Sequence, residues 1–68
     1  MTLSARNQLA GTVEAVTLGD IMAHVVIGIG DQQIESIITR SSAVSMGLKK
    51  GDCVRAVIKS TEVMVQKD

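Results

Sequence analysis

The stretch from Ile21 to Ile29 alternates in the manner of a β-strand, yet it is apolar on both faces. Ile21, Ala23, Val25, Ile27 and Ile29 fall on one side, while Met22, Val26 and Gly28 share the other with His24. Such a strand needs cover on both sides, and a chain of 68 residues has little material to supply it. The usual staples of small folds are missing. Cys53 is the only cysteine, so no disulfide closes within the chain, and His24 is the only histidine, so no zinc cluster of Cys/His spacing exists. The hydrophobic residues, 46% of the chain, include no Phe, Trp or Tyr. Apolar surface left over on a monomer is sticky. The expectation is a single domain over residues 1–68 that gains its missing cover by homo-oligomerisation.

The rest of the pattern is also mostly β. Asn7 to Leu18 alternates, with Leu9, Gly11, Val13 and Ala15 on one face, and Thr17-Leu18-Gly19-Asp20 reads as the following turn. Gly28-Ile29-Gly30-Asp31 breaks the next strand, and Gln32 to Thr39 reads as its hairpin partner. Arg40 to Leu48 suits a short helix capped by Ser41 or Ser42, with Ala43, Val44 and Met46 inside it and Gly47 as its terminator. Lys49-Lys50-Gly51-Asp52 forms a turn, Cys53 to Lys59 a fourth strand and Glu62 to Gln66 a fifth. Five short strands with one short helix between the third and fourth point to an all-β fold, a small five-stranded OB-like barrel by analogy of the helix position, with a flat sandwich of similar size as the structural alternative.

Seven basic and seven acidic residues cancel, which argues against a general electrostatic footprint for nucleic acid or an anionic membrane. A barrel that binds single strands would also need aromatic rings for base stacking, and there are none. No apolar run is long enough to span a bilayer, and the polar start Met1-Thr2-Leu3-Ser4-Ala5-Arg6 lacks a signal-peptide core. A cytoplasmic protein is the simplest reading. No nucleophile–base pair or metal constellation is visible, so an enzyme with a catalytic cofactor is not expected. Met1 reads as the initiator, and Met22, Met46 and Met64 as core or interface filler. His24 reads as a structural or surface histidine, and Cys53 as a small buried or interface residue.

Chemistry concentrates near the two ends. Ser4-Ala5-Arg6-Asn7-Gln8 and Lys59-Ser60-Thr61-Glu62 each place one cation beside hydroxyl side chains. Arg presents a fork of five donors, Lys a compact ammonium, and hydroxyls can turn to donate. That set suits a small, fully deprotonated oxyanion if the fold brings the ends together. The bland alternative makes Arg6 and Lys59 solvated charges paired with Glu14, Glu35 or Glu62, and makes Thr39, Ser41 and Ser42 helix-capping groups.

These motifs, with Gly11, Ile38-Thr39-Arg40-Ser41-Ser42, Gly47-Leu48-Lys49-Lys50-Gly51-Asp52 and Ala56-Val57-Ile58-Lys59-Ser60-Thr61-Glu62-Val63, resemble the molbindin (Mop, or TOBE/Mop) family across essentially the whole chain. The resemblance implies a hexamer built as a trimer of dimers, with molybdate or tungstate held at subunit interfaces for storage and buffering. Carried over position by position, the implied oxyanion-binding residues are Ser4, Arg6, Thr39, Ser42, Lys59 and Ser60, with molybdenum bound only as its oxyanion. Arg6 and Lys59 are expected from different subunits. An oxyanion-sensing accessory module and a molybdopterin-binding protein are the alternatives.

Overall fold

The structure, a computed structural model, describes residues 4–68. Met1, read above as the initiator, lies outside the described residues with Thr2 and Leu3. The elements run β1 (Asn7–Leu18), β2 (Met22–Ile29), β3 (Gln32–Thr39), α1 (Arg40–Met46) and β4 (Cys53–Ile58), followed by a short 3₁₀ turn, Ser60–Glu62. The four strands form one antiparallel sheet in the order β3-β2-β1-β4.

β1 is shared between two neighbours. Its first half pairs with β4, from Asn7 opposite Ile58 to Thr12 opposite Cys53. Its second half pairs with β2, from Thr12 opposite Gly28 to Leu18 opposite Ala23. The register slips between Val13 and Ala15, a bulge at Glu14. This corrects the expected face of β1: beyond the bulge the alternation changes phase, so Val16 packs against the core while Ala15 is exposed. Val13 is the most deeply buried large side chain, and the Lys49–Asp52 turn takes up its backbone groups. Val13 N–H donates to Asp52 O at 2.9 Å, and Gly51 N–H donates to Val13 O at 2.8 Å.

The core is small: Val13, Val25, Ile27 and Ala56 form its buried cluster, with Ile34, Ile38, Leu48 and Val54 packed around them. One face of β2 supplies much of it, as its alternation predicts. On the other face His24 Nε2 meets Glu35 Oε1 at 2.7 Å, so His24 is a surface residue paired across β2 and β3.

Helix α1 ends as expected. Gly47 adopts a left-handed conformation (φ 63°), and Leu48 N–H to Ala43 O (3.1 Å) with Gly47 N–H to Val44 O (3.0 Å) closes the last turn. Its cap differs from the expectation. Thr39, not Ser41 or Ser42, is the N-cap, with Oγ1 accepting from Ser42 N–H. Only Ala43 of the helix is buried; Val44 and Met46 are exposed, because α1 lies against the end of the sheet along a single narrow stripe.

The expected five-stranded barrel is not formed. β3 and β4 are the two edges of an open sheet, with no ladder between them. A gap of about 290 Å³ separates them, lined by Ile34, Ser36 and Ile38 on one side and Arg55 to Ile58 on the other. The predicted fifth strand fails for a concrete reason. The turn at Ser60–Glu62 ends β4 and redirects the chain, and Val63 to Gln66 pairs with neither of the sheet's open edges. Met64 and Val65 are 94% and 93% exposed. Cys53 is exposed on the protomer as well, which corrects the buried half of the reading given for it.

Gly11 marks where β1 passes closest to β2. A Cβ there would meet Gly28 O at 2.5 Å and the side chains of Ile27 and Ile29 at 2.8 and 2.9 Å. A Cβ at Gly28 would instead meet the carboxylate end of Glu14, which can swing aside. Gly11→Ala should therefore cost about 1–3 kcal/mol by forcing backbone and core to shift, and Gly28→Ala clearly less. Urea unfolding at fixed protein concentration checks the order; equal losses would contradict it.

Candidate functional site

The ladder between β1 and β4 determines what happens at the chain ends. Asn7 opposite Ile58 leaves Ser4-Ala5-Arg6 and Lys59-Ser60-Thr61 running off the same end of the sheet. There they form a shallow pocket of about 190 Å³ lined by Ser4, Ala5, Lys59, Ser60 and Thr61. The 3₁₀ turn shapes one wall: Glu62 N–H donates to Lys59 O (2.9 Å) and Val63 N–H to Ser60 O (3.4 Å). Across from it, Gln8 Nε2 donates to Ala5 O at 3.4 Å, tying the first motif back to the strand.

Three of the six candidate residues thus converge: Ser4, Lys59 and Ser60. Arg6 is exposed and lies outside the pocket lining, although the register places it at the same end of the same chain as Lys59. Thr61 also lines the pocket, beyond the six expected residues; its signal in the sequence is its place inside the Lys59-Ser60-Thr61-Glu62 motif.

Thr39 and Ser42 stand elsewhere. Thr39 pairs with Met22 at the opposite end of the sheet, and all of β1 lies between the two groups, roughly 35 Å of strand at about 3.3 Å per residue. Thr39 Oγ1 accepts from Ser42 N–H (3.1 Å) and donates to Ser42 Oγ (2.8 Å), with Ser41 Oγ at 3.3 Å. Arg40 is anchored to the β1–β2 turn, its Nη1 donating to Gly19 O at 2.9 Å and its backbone N–H to Ile21 O at 2.7 Å. A wider depression here is lined by Asp20, Ile21, Thr39, Arg40, Ser41 and Val44.

Electrostatics favour the first pocket for an anion. No carboxylate lines it, whereas Asp20 sits in the second. Two of the three carboxylates proposed as surface partners are occupied elsewhere: Glu35 takes His24, and Glu14 Oε1 accepts from Gln33 Nε2 at 2.6 Å; Glu62 makes no ion pair among the described residues. Among the described residues the ion pairs are His24–Glu35 and Lys49–Asp52, and neither involves Arg6 or Lys59. Lys59 therefore keeps its ammonium free beside three hydroxyl side chains.

A small open sheet with a carboxylate-free pocket of one ammonium and several hydroxyls belongs to the class of compact anion-binding domains. Comparison with known proteins makes the assignment specific. Residues 3–65 match the TOBE domain. "Molybdenum-pterin-binding protein 3" of Clostridium pasteurianum is 48% identical over 66 residues, covering 96% of this chain and 97% of that one. The solved structure of a molybdate-binding protein from Sporomusa ovata superposes with a TM-score of 0.95 at 36% identity, covering 98% of this chain and all of that one. The cytoplasmic molybdate-binding protein ModG, in its molybdate-bound form, aligns with a TM-score of 0.83 at 38% identity, over 88% of this chain and 43% of its own. The chain is a member of the TOBE/Mop family, closely related to the molbindins.

The Thr39 cap makes a prediction that is independent of any ligand. Thr39→Ala removes the acceptor for Ser42 N–H and should lower unfolding stability by about 1 kcal/mol, while Thr39→Ser should retain most of it. Thermal unfolding of the two variants checks this; equal losses would mean that the hydroxyl is not the cap.

Proposed function

We propose that this chain binds molybdate or tungstate as a non-catalytic store or buffer, in the cytoplasm, with residues 1–68 acting as one Mop domain. The observation that carries the reading is the carboxylate-free pocket of Ser4, Lys59 and Ser60 in a chain whose relatives bear molybdenum in their names. Molybdate at neutral pH is a tetrahedral dianion with four acceptor oxygens and no proton to give. A lining that can donate throughout suits it, and a charge-assisted bond from Lys59 contributes ~1.5–3 kcal/mol against ~1 for a neutral hydroxyl. A pterin ring would want a flat aromatic surface to stack on, and the chain has no aromatic residue. The cytoplasmic placement leans on the likeness to ModG. No described helix is long and apolar enough to cross a membrane.

The same reading makes the protein a homo-oligomer, with the hexameric trimer of dimers as its proposed form. Exposed Ile21 (77%), Ile37 (61%), Met64 and Val65, together with two unpaired sheet edges, are surfaces that a second copy would cover. The site itself asks for a partner. Ser4, Lys59 and Ser60 stand at one end of β1 and Thr39 and Ser42 at the other, so one protomer cannot close both groups on one small anion. In the proposed arrangement the first group, with Arg6 beside it, meets Thr39 and Ser42 of a neighbouring copy across the interface.

Calorimetry with molybdate tests the reading. Lys59→Ala should weaken binding by about 2–3 kcal/mol, tens- to more than a hundredfold, while Arg55→Ala and Lys67→Ala should change it far less. Sulfate, which is smaller, should compete poorly, and equal affinity for sulfate would refute the selectivity. Lys59→Ala and Thr39→Ala chains, denatured and reassembled together, should recover part of the binding that each lacks alone. No recovery in verified mixed oligomers would reject the two-protomer site.

A further inference from the structure

We infer that Thr61 is a direct oxyanion ligand and brings the donor side chains of the end pocket from three to four, an assignment that rests on reading this pocket as the oxyanion site. Thr61 lines the cavity with Ser4, Lys59 and Ser60, at the middle of the 3₁₀ turn whose two backbone bonds hold Lys59, Ser60 and Thr61 in consecutive positions. A 3₁₀ turn sets successive side chains roughly 120° apart, so it is the shared lining that places Ser60 and Thr61 on the same pocket.

Among the described residues the hydroxyl of Thr61 makes no hydrogen bond, whereas Thr39 Oγ1 is engaged with both the backbone and the side chain of Ser42. Its side chain is exposed, so the hydroxyl is not satisfying a buried neighbour and the methyl is not filling the core. The branched Cβ restricts χ1, so less rotamer freedom is lost on binding than for Ser4 or Ser60. A tetraoxo dianion has more acceptor positions than one ammonium and two serine hydroxyls fill. Thr61 Oγ1 is a further donor presented to it from the same wall, and a stiff one.

The test compares Thr61→Val, which keeps the shape and removes the donor, with Thr61→Ser, which keeps the donor. Sodium molybdate is titrated calorimetrically into each full-length oligomeric protein, with assembly checked by light scattering. Thr61→Val should bind molybdate about three- to tenfold more weakly and Thr61→Ser within about twofold of the parent. Thr61→Ala replaces the valine variant if valine disturbs assembly. Binding by Thr61→Val within about twofold of the parent overturns the assignment, as does an equal loss in Thr61→Ser, which would make shape rather than the hydroxyl responsible. Lys59→Ala, run alongside, separates the two levels. Weak binding there with an unaffected Thr61→Val removes Thr61 alone, while parent-like binding by both removes the pocket reading with it.

Discussion

Everything in this molecule hangs on β1 serving two partners in succession. Its first six residues are laddered to β4 and its last seven to β2, with Thr12 common to both. Two features allow one strand to do this. Gly11 lets the backbone come close to Gly28 where the change of partner occurs, and the bulge at Glu14 shifts the side-chain phase so that both Val13 and Val16 reach the core. Without the bulge, the second half of β1 would present its apolar residues to solvent, because a one-residue slip turns every side chain over.

Polar groups follow from the same plan. Val13 pairs with Ile27 of β2 on one side, and on the other the Lys49–Asp52 turn takes up its backbone groups just beyond the last pair of β1 with β4. That turn is tightened by Asp52, whose Oδ2 accepts from Lys49 N–H at 3.0 Å while Oδ1 lies 3.6 Å from Lys49 Nζ. Most of the binding energy available to this site must come from a few exposed side chains. Exposed pairs are weak in water, so a pocket with one free ammonium and no carboxylate becomes effective only where water is partly excluded. A shallow opening of about 190 Å³ at the rim of a protomer excludes little water by itself.

Much of this was legible in the sequence where the signal is local. The strand spans of β1 to β4, the helix and its stop at Gly47, the core face of β2 and the surface nature of His24 all follow from alternation, left-handed glycine and strand pairing. The misses share one cause: they depend on neighbours that periodicity does not name. Glu62 to Gln66 has strand-like composition but is turned away at Ser60–Glu62 and joins neither open edge, and the gap between β3 and β4 is a property of strand order. The bulge at Glu14 leaves no mark that one sequence could reveal. At the site, the motifs correctly marked Ser4, Lys59 and Ser60 as neighbours. The distance to Thr39 and Ser42 became visible only once the register of β1 was known.

The pairing of Asn7 with Ile58 joins residues about fifty positions apart, against the tight hairpins that connect β1 to β2 and β2 to β3. Closing a loop of that length carries an entropic cost before any contact rewards it, so local hairpins form readily and the long-range ladder later. The three-strand meander is therefore the natural early structure, and β4 docks onto it last. Since the pocket exists only where the two chain ends run off that final ladder, it is assembled at the close of folding. A ligand held there acts as a latch on the slowest seam of the chain, and its grip registers whether the molecule has been completed.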